Sequence, residues 1–181
     1  MGPGSEPTQT GSAHVGLDRL WAGWRSKYVS EVAGRDLGCF LCAISALPDD
    51  EAVSVTTLVL ERTDLTLTVM NLYPYGSGHL LVAPRCHEGS LEVLSDNEAI
   101  ALMHAQRKAI TVLQAVYGCD GINLGANLGR AAGAGVPDHL HIHALPRWSG
   151  DTNFMTTVAE TRVIPESLEV GWAKLHEAWN S

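Results

Sequence analysis

Three of the eight histidines fall in His139-Leu140-His141-Ile142-His143, alternating with apolar residues. Successive side chains of a strand point to opposite faces, so the alternation predicts three imidazoles on one face and Leu140, Ile142 and Ala144 against the core on the other. Neighbouring rings would stand ~6.6 Å apart along the strand and could take separate roles around one ligand. A neutral imidazole is a nucleophile near neutral pH, and imidazoles also steady developing phosphate charge or ligate metals. The pattern leaves three readings: covalent catalysis, a zinc site on His-x-His, or exposed histidines without a task. Just upstream, the small-residue loop 129–138 contains Gly129, Arg130, Gly133 and Gly135. Glycines let backbone amides converge on an anion, which favours phosphate chemistry, although the loop has no P-loop lysine. A second constellation is Cys39-Phe40-Leu41-Cys42, whose C-x-x-C spacing fits a metal knuckle, a redox pair or two buried thiols.

Elements that must hold these residues are legible in the periodicities. Residues 53–60, 65–71 and 79–84 read as antiparallel strands, the last two joined by the turn-rich segment 72–78. Ser95 with Glu98 forms a capping box, and Ile100, Met103, Ile110, Leu113 and Tyr117 mark one face of a long helix closed by Gly118. Residues 121–127 and 139–146 form a second strand pair around the loop. A first helix is expected over 17–33, where Leu17, Leu20, Trp21, Trp24, Tyr28 and Val32 recur at helical spacing, and a last helix over 165–179. Strands and helices without regular β-α alternation indicate an α+β fold. Residues 1–16 read as a flexible tail and 17–181 as a single domain.

Composition narrows the function classes. With 181 residues, 45% hydrophobic and 18% charged, the chain supports one core. Its formal charge of −8 has the wrong sign for gripping a nucleic-acid backbone. A polyanionic substrate would need local donors, with magnesium or another divalent cation as counterion. No apolar run reaches membrane-span length and the polar start is unlike a secretory signal, so no membrane partner and a cytoplasmic location are expected.

Together these motifs resemble the histidine triad (HIT) family of nucleotide hydrolases and transferases. The resemblance covers residues 39–155, including 71–75, 78–85, Asn127-Leu128-Gly129 and 146–154, and is similar to the branch containing actinobacterial diadenosine tetraphosphate phosphorylases. It implies a HIT-like fold: an antiparallel sheet with a long helix packed on it, plus N- and C-terminal helices. It implies cleavage of dinucleoside polyphosphates through a nucleotidyl-histidine on His141, with His139 and His143 flanking it. Inorganic phosphate is the acceptor favoured by the resemblance, giving ADP and ATP from diadenosine tetraphosphate. Water acting on dinucleoside polyphosphates or phosphoramidates, and a noncatalytic nucleotide-binding module, are the alternatives.

The resemblance further places Asn71 at the ribose, His79 at the base or phosphate pocket and Asn127 on phosphate. Trp148 falls at the adenine, in a site that a neighbouring subunit can share. Turn formation for Asn71, a satisfied strand position for His79 and core packing for Trp148 are the structural readings. Cys39, Cys42, His87 and His139 correspond to a structural zinc set, and a homodimer or homotetramer is implied. One departure concerns the loop, where relatives carry a Ser or Gln donor and this chain has Ala134-Gly135. Backbone amides or Arg130 are then left to meet the phosphate.

Overall fold

The computed structural model describes residues 38–151 and 166–181. The expected tail, the helix over 17–33 and motif residues 152–154 lie outside them. Five strands form one antiparallel sheet: β1 (Val59–Arg62), β2 (Thr66–Met70), β3 (Leu80–Pro84), β4 (Gly121–Ala126) and β5 (Ile142–Arg147), in the order β1-β2-β3-β5-β4. Among the described residues four helices accompany it: α1 (Phe40–Ser45), α2 (Asp49–Ala52), α3 (Asp96–Tyr117) and α4 (Leu168–Trp179). This is the expected α+β arrangement.

The 22-residue α3 begins where the capping box requires: Ser95 Oγ accepts from the Glu98 amide while the Glu98 carboxylate accepts from the Ser95 amide. It ends at Gly118 in the left-handed conformation, φ 53°. The helix packs on β2, β3 and β5, and α4 rests against α3 and β1. Its buried stripe is Leu102, Ala105, Gln106, Ala109, Val112 and Leu113, not the Ile100 and Met103 expected from the sequence, which are 57% and 54% exposed. Helical spacing admits both stripes, and the one containing Ala105 and Ala109 lets the backbone approach the sheet closely.

Strand limits also differ. The expected strand over 53–60 begins only at Val59, because Thr57 Oγ1 donates to the Ala52 carbonyl and Ser54 Oγ accepts from the Thr57 amide. Those hydroxyls give the backbone a local turn in place of a ladder, despite the β-branched residues. Likewise β5 begins at Ile142, leaving His139 and His141 in the irregular approach to the strand. The apolar half of the alternation holds: Leu140, Ile142 and Ala144 are buried.

The turn over 72–78 is fixed by packing against the end of α3. Gly78 has φ +71°, and a Cβ there would lie 2.5 Å from the Tyr117 ring. Gly78→Ala is therefore expected to lower the unfolding free energy by about 2–4 kcal/mol, from left-handed backbone strain and ring overlap. Denaturant unfolding of the two proteins checks this; equal stabilities would contradict the packing described.

Candidate active site and metal group

The three histidines of the alternating segment are held by different neighbours, and those neighbours determine which nitrogen of each neutral ring carries its proton. His141 Nδ1 lies 2.9 Å from the His139 carbonyl. A carbonyl only accepts, so the proton is on Nδ1 and Nε2 presents a lone pair. His141 is only 7% exposed, so the freedom of its ring is small. The Nε2 lone pair is thus pre-oriented by backbone two residues away.

His143 is set from farther off. On β5 it stands opposite Leu81 of β3 and Gly125 of β4. His79, fully buried immediately before β3, accepts at Nδ1 from the Tyr75 amide at 3.0 Å. Its proton therefore sits on Nε2, which donates to His143 Nδ1 across 2.9 Å, and the His143 proton is on Nε2. Asn71 reinforces the chain: its Oδ1 accepts from the Tyr73 amide, which turns Nδ2 toward His79 Nδ1 at 3.3 Å. The turn reading of Asn71 is thus realised in the structure. The Tyr75 ring stacks beside His143, with centroids 5.8 Å apart, and was not singled out as a site residue from the sequence. Its only sequence signal is its place in the Asn71–Tyr75 motif. The His141 and His143 rings meet edge to face at 5.1 Å.

His139 goes elsewhere. Its Nε2 donates to the Pro84 carbonyl at 2.9 Å, which leaves the Nδ1 lone pair toward Cys39 Sγ at 3.1 Å and Cys42 Sγ at 3.5 Å. Cys42 Sγ is also 3.2 Å from His87 Nδ1. One ligand atom from each of Cys39, Cys42, His87 and His139 falls within 4.8 Å of the others. A tetrahedral zinc with S and N ligands separates them by about 3.5 Å, so small adjustments would close the site. Two thiols and two imidazoles are also the donor chemistry zinc takes. Burial lowers the His139 pKa, favouring the neutral ring a metal needs. Burial, then the neighbouring Cys39, pushes the Cys42 thiol up, so an ion would have to displace its proton.

Cys86, one residue before His87, does not join this group. Burial and the Glu98 carboxylate push its thiol up to about 11. At pH 8 Cys86 is expected to alkylate roughly a hundredfold more slowly than an ordinary exposed thiol, since only the thiolate reacts. Peptide mass spectrometry after timed iodoacetamide treatment measures this; rapid labelling of Cys86 would refute it.

The remaining expected residues follow β4, in the loop to β5, or β5 itself. The β4–β5 register pairs Gly125 with His143 and Ala126 with Ile142, and Asn127 follows directly on the end of β4. In the loop, the Ala132, Gly133 and Ala134 amides donate to the carbonyls of Gly129 and Arg130, closing a short 3-10 turn. Gly135 lies beyond that turn and is exposed. Arg130 approaches Asp138 at 3.9 Å with both side chains exposed, a weakly held pair. Trp148 packs edge-on against Tyr117, with centroids 6.1 Å apart, and its Nε1 donates to the Tyr117 carbonyl. The packing reading of Trp148 therefore has direct contacts behind it.

The chain matches the model of the HIT domain over residues 53–150. It is 40% identical over 159 residues to the AP-4-A phosphorylase of Mycobacterium tuberculosis, covering 84% of this chain and 79% of that protein. It is 35% identical over 97 residues to the asymmetrical bis(5'-nucleosyl)-tetraphosphatase of Schizosaccharomyces pombe, 54% of this chain and 53% of that protein. Among solved structures, a zinc-bound histidine triad family protein from Mycobacterium smegmatis superposes with a TM-score of 0.62 at 24% identity, covering 80% of this chain and 94% of that one.

Proposed function

Because the chain belongs to the histidine triad (HIT) family, we propose that it is an enzyme that cleaves dinucleoside polyphosphates by nucleotidyl transfer through His141, with inorganic phosphate as the acceptor. The observation that carries this reading is the His141 ring, whose Nδ1 proton is held by the His139 carbonyl and whose Nε2 lone pair is left to attack. In the first step the N–P bond forms at the α-phosphorus of diadenosine tetraphosphate and the bridging P–O bond breaks, releasing ATP. In the second, an oxygen of inorganic phosphate attacks the same phosphorus, the N–P bond breaks, and ADP leaves with His141 restored. Each displacement is easier than a direct one because a nucleophile and an acceptor are used in turn. The Tyr75–His79–His143 relay supplies a donor at His143 Nε2 for the phosphate oxygens, where charge accumulates.

Asn127, Arg130, Gly133 and Gly135 are assigned to the phosphate chain, Asn71 and His79 to the nucleoside side and Trp148 to the base. Magnesium or another divalent cation accompanies the polyphosphate as counterion in this acidic chain. Cys39, Cys42, His87 and His139 would hold a zinc ion, whose contribution is a structural crosslink. The outer edge of β4, exposed from Asn123 to Ala126, offers a surface for a homodimer. Among the described residues no helix is long and apolar enough to cross a membrane, and a cytoplasmic location is part of this reading.

Product analysis tests it. Diadenosine tetraphosphate with phosphate should yield ADP and ATP, and omission of phosphate should suppress turnover. AMP with ATP at an equal rate without phosphate would make water the acceptor, the chemistry named for the yeast relative. Binding without any product would leave only a nucleotide-binding module.

A further inference from the structure

Resting on the metal reading of the Cys39, Cys42, His87 and His139 group, we propose that Arg85 is the positioning residue that assembles this group. The four ligands come from three separate stretches of chain: the start of α1, the segment after β3, and the approach to β5. Nothing local brings them together. The end of β3 touches all three. The Pro84 carbonyl takes the His139 Nε2 proton. His87 follows two residues after Arg85. The Arg85 guanidinium then grips the C-terminal end of α1, donating from Nε to Ser45 Oγ at 2.9 Å and from Nη2 to the Ser45 carbonyl at 3.1 Å.

Two further bonds hold Arg85 in place. Its amide donates to the Leu65 carbonyl and its Nη1 to the Thr63 carbonyl, which tie it to the turn before β2. A guanidinium suits this task because its planar fork serves several acceptors at once and stays charged. The carbonyls at a helix C-terminus carry partial negative charge and lack partners within the helix, so a cation there is favourable. Arg62 also binds the Ser45 and Leu47 carbonyls, but it lies on β1 and has no short covalent link to His87. Arg85 thus joins the cysteine helix to the histidine-bearing segment from outside the ligand set, beside the direct Cys42–His87 contact. Ion binding and the Arg85 contacts order the same elements, so each strengthens the other.

Zinc affinity of the full-length chain, measured by competition with a chromogenic chelator, tests this role. Arg85→Gln should weaken binding ten- to a hundredfold, equivalent to about 1.4–2.8 kcal/mol. The absorption maximum of the cobalt-substituted variant should stay that of the wild type, because the four ligands are retained. Arg85→Lys should recover part of the loss. If Arg85→Gln does not fold by far-UV circular dichroism, Ser45→Ala, which removes one acceptor only, should still weaken zinc several-fold. Wild-type affinity in the folded variants overturns the role of Arg85 while leaving the metal site standing. A wild-type protein that binds no zinc removes the metal reading itself, and the Arg85 role with it.

Discussion

His141→Asn is expected to reduce turnover of diadenosine tetraphosphate on the order of 10³-fold or more and to leave no nucleotidyl adduct on the protein. Asn retains a donor at the Nδ1 position, so the bond to the His139 carbonyl and the local packing are kept while the Nε2 lone pair is lost. The loss therefore reports on chemistry, not folding. Removing a nucleophile forfeits the whole two-step route and leaves only binding and charge stabilisation, which is why the effect is large. Acid quenching of a wild-type reaction followed by mass spectrometry should find one nucleotidyl group, mapped to the peptide containing His141. A variant that turns over at the wild-type rate removes the covalent mechanism.

Stripping metal from the Cys39, Cys42, His87 and His139 group is the second large effect expected. An ion that binds only the folded state, present at a thousandfold over its dissociation constant, adds about 4.1 kcal/mol of stability. For a chain of this size that corresponds to a fall of about 8–16 °C in melting temperature on chelation. Cys42→Ser should lower the zinc-loaded melting temperature in the same direction, because a hydroxyl is a poor substitute for a thiolate ligand. Calorimetry with and without chelator, alongside elemental analysis of the purified protein, decides it. A metal at this group would tie His139 in place, and the His139 carbonyl orients His141, so activity should fall as the fold loosens. An identical melt with chelator would show that the thiols and imidazoles are held by packing alone. Rates abolished by chelation with no change in the melt would instead point to an ion acting on the substrate.

The chemistry-bearing residues were legible because their signals are local. Alternation over residues 139–144 separates polar from apolar faces through strand geometry alone. The Ser95–Glu98 box and Gly118 state the limits of α3 because capping involves only neighbouring backbone groups. Local signals erred where two local solutions compete. Residues 53–58 have β-branched composition, yet their hydroxyls satisfy a turn. The α3 sequence offers two apolar stripes, and the sheet selected the one with alanines.

By itself, then, the sequence determined the α+β class and, among the described residues, the five strands and the two long helices α3 and α4, but not the short α1 and α2. Tertiary structure decided that the three triad histidines do different things. His139 leaves its expected row because Cys39, a hundred residues earlier, and the Pro84 carbonyl hold its two nitrogens. The proton positions on His141 and His143 follow from a carbonyl and from the Tyr75 amide relayed through His79. Such contacts join segments far apart in the chain and leave no periodic trace along it. They exist only once the sheet and the elements packed against it have brought those segments together.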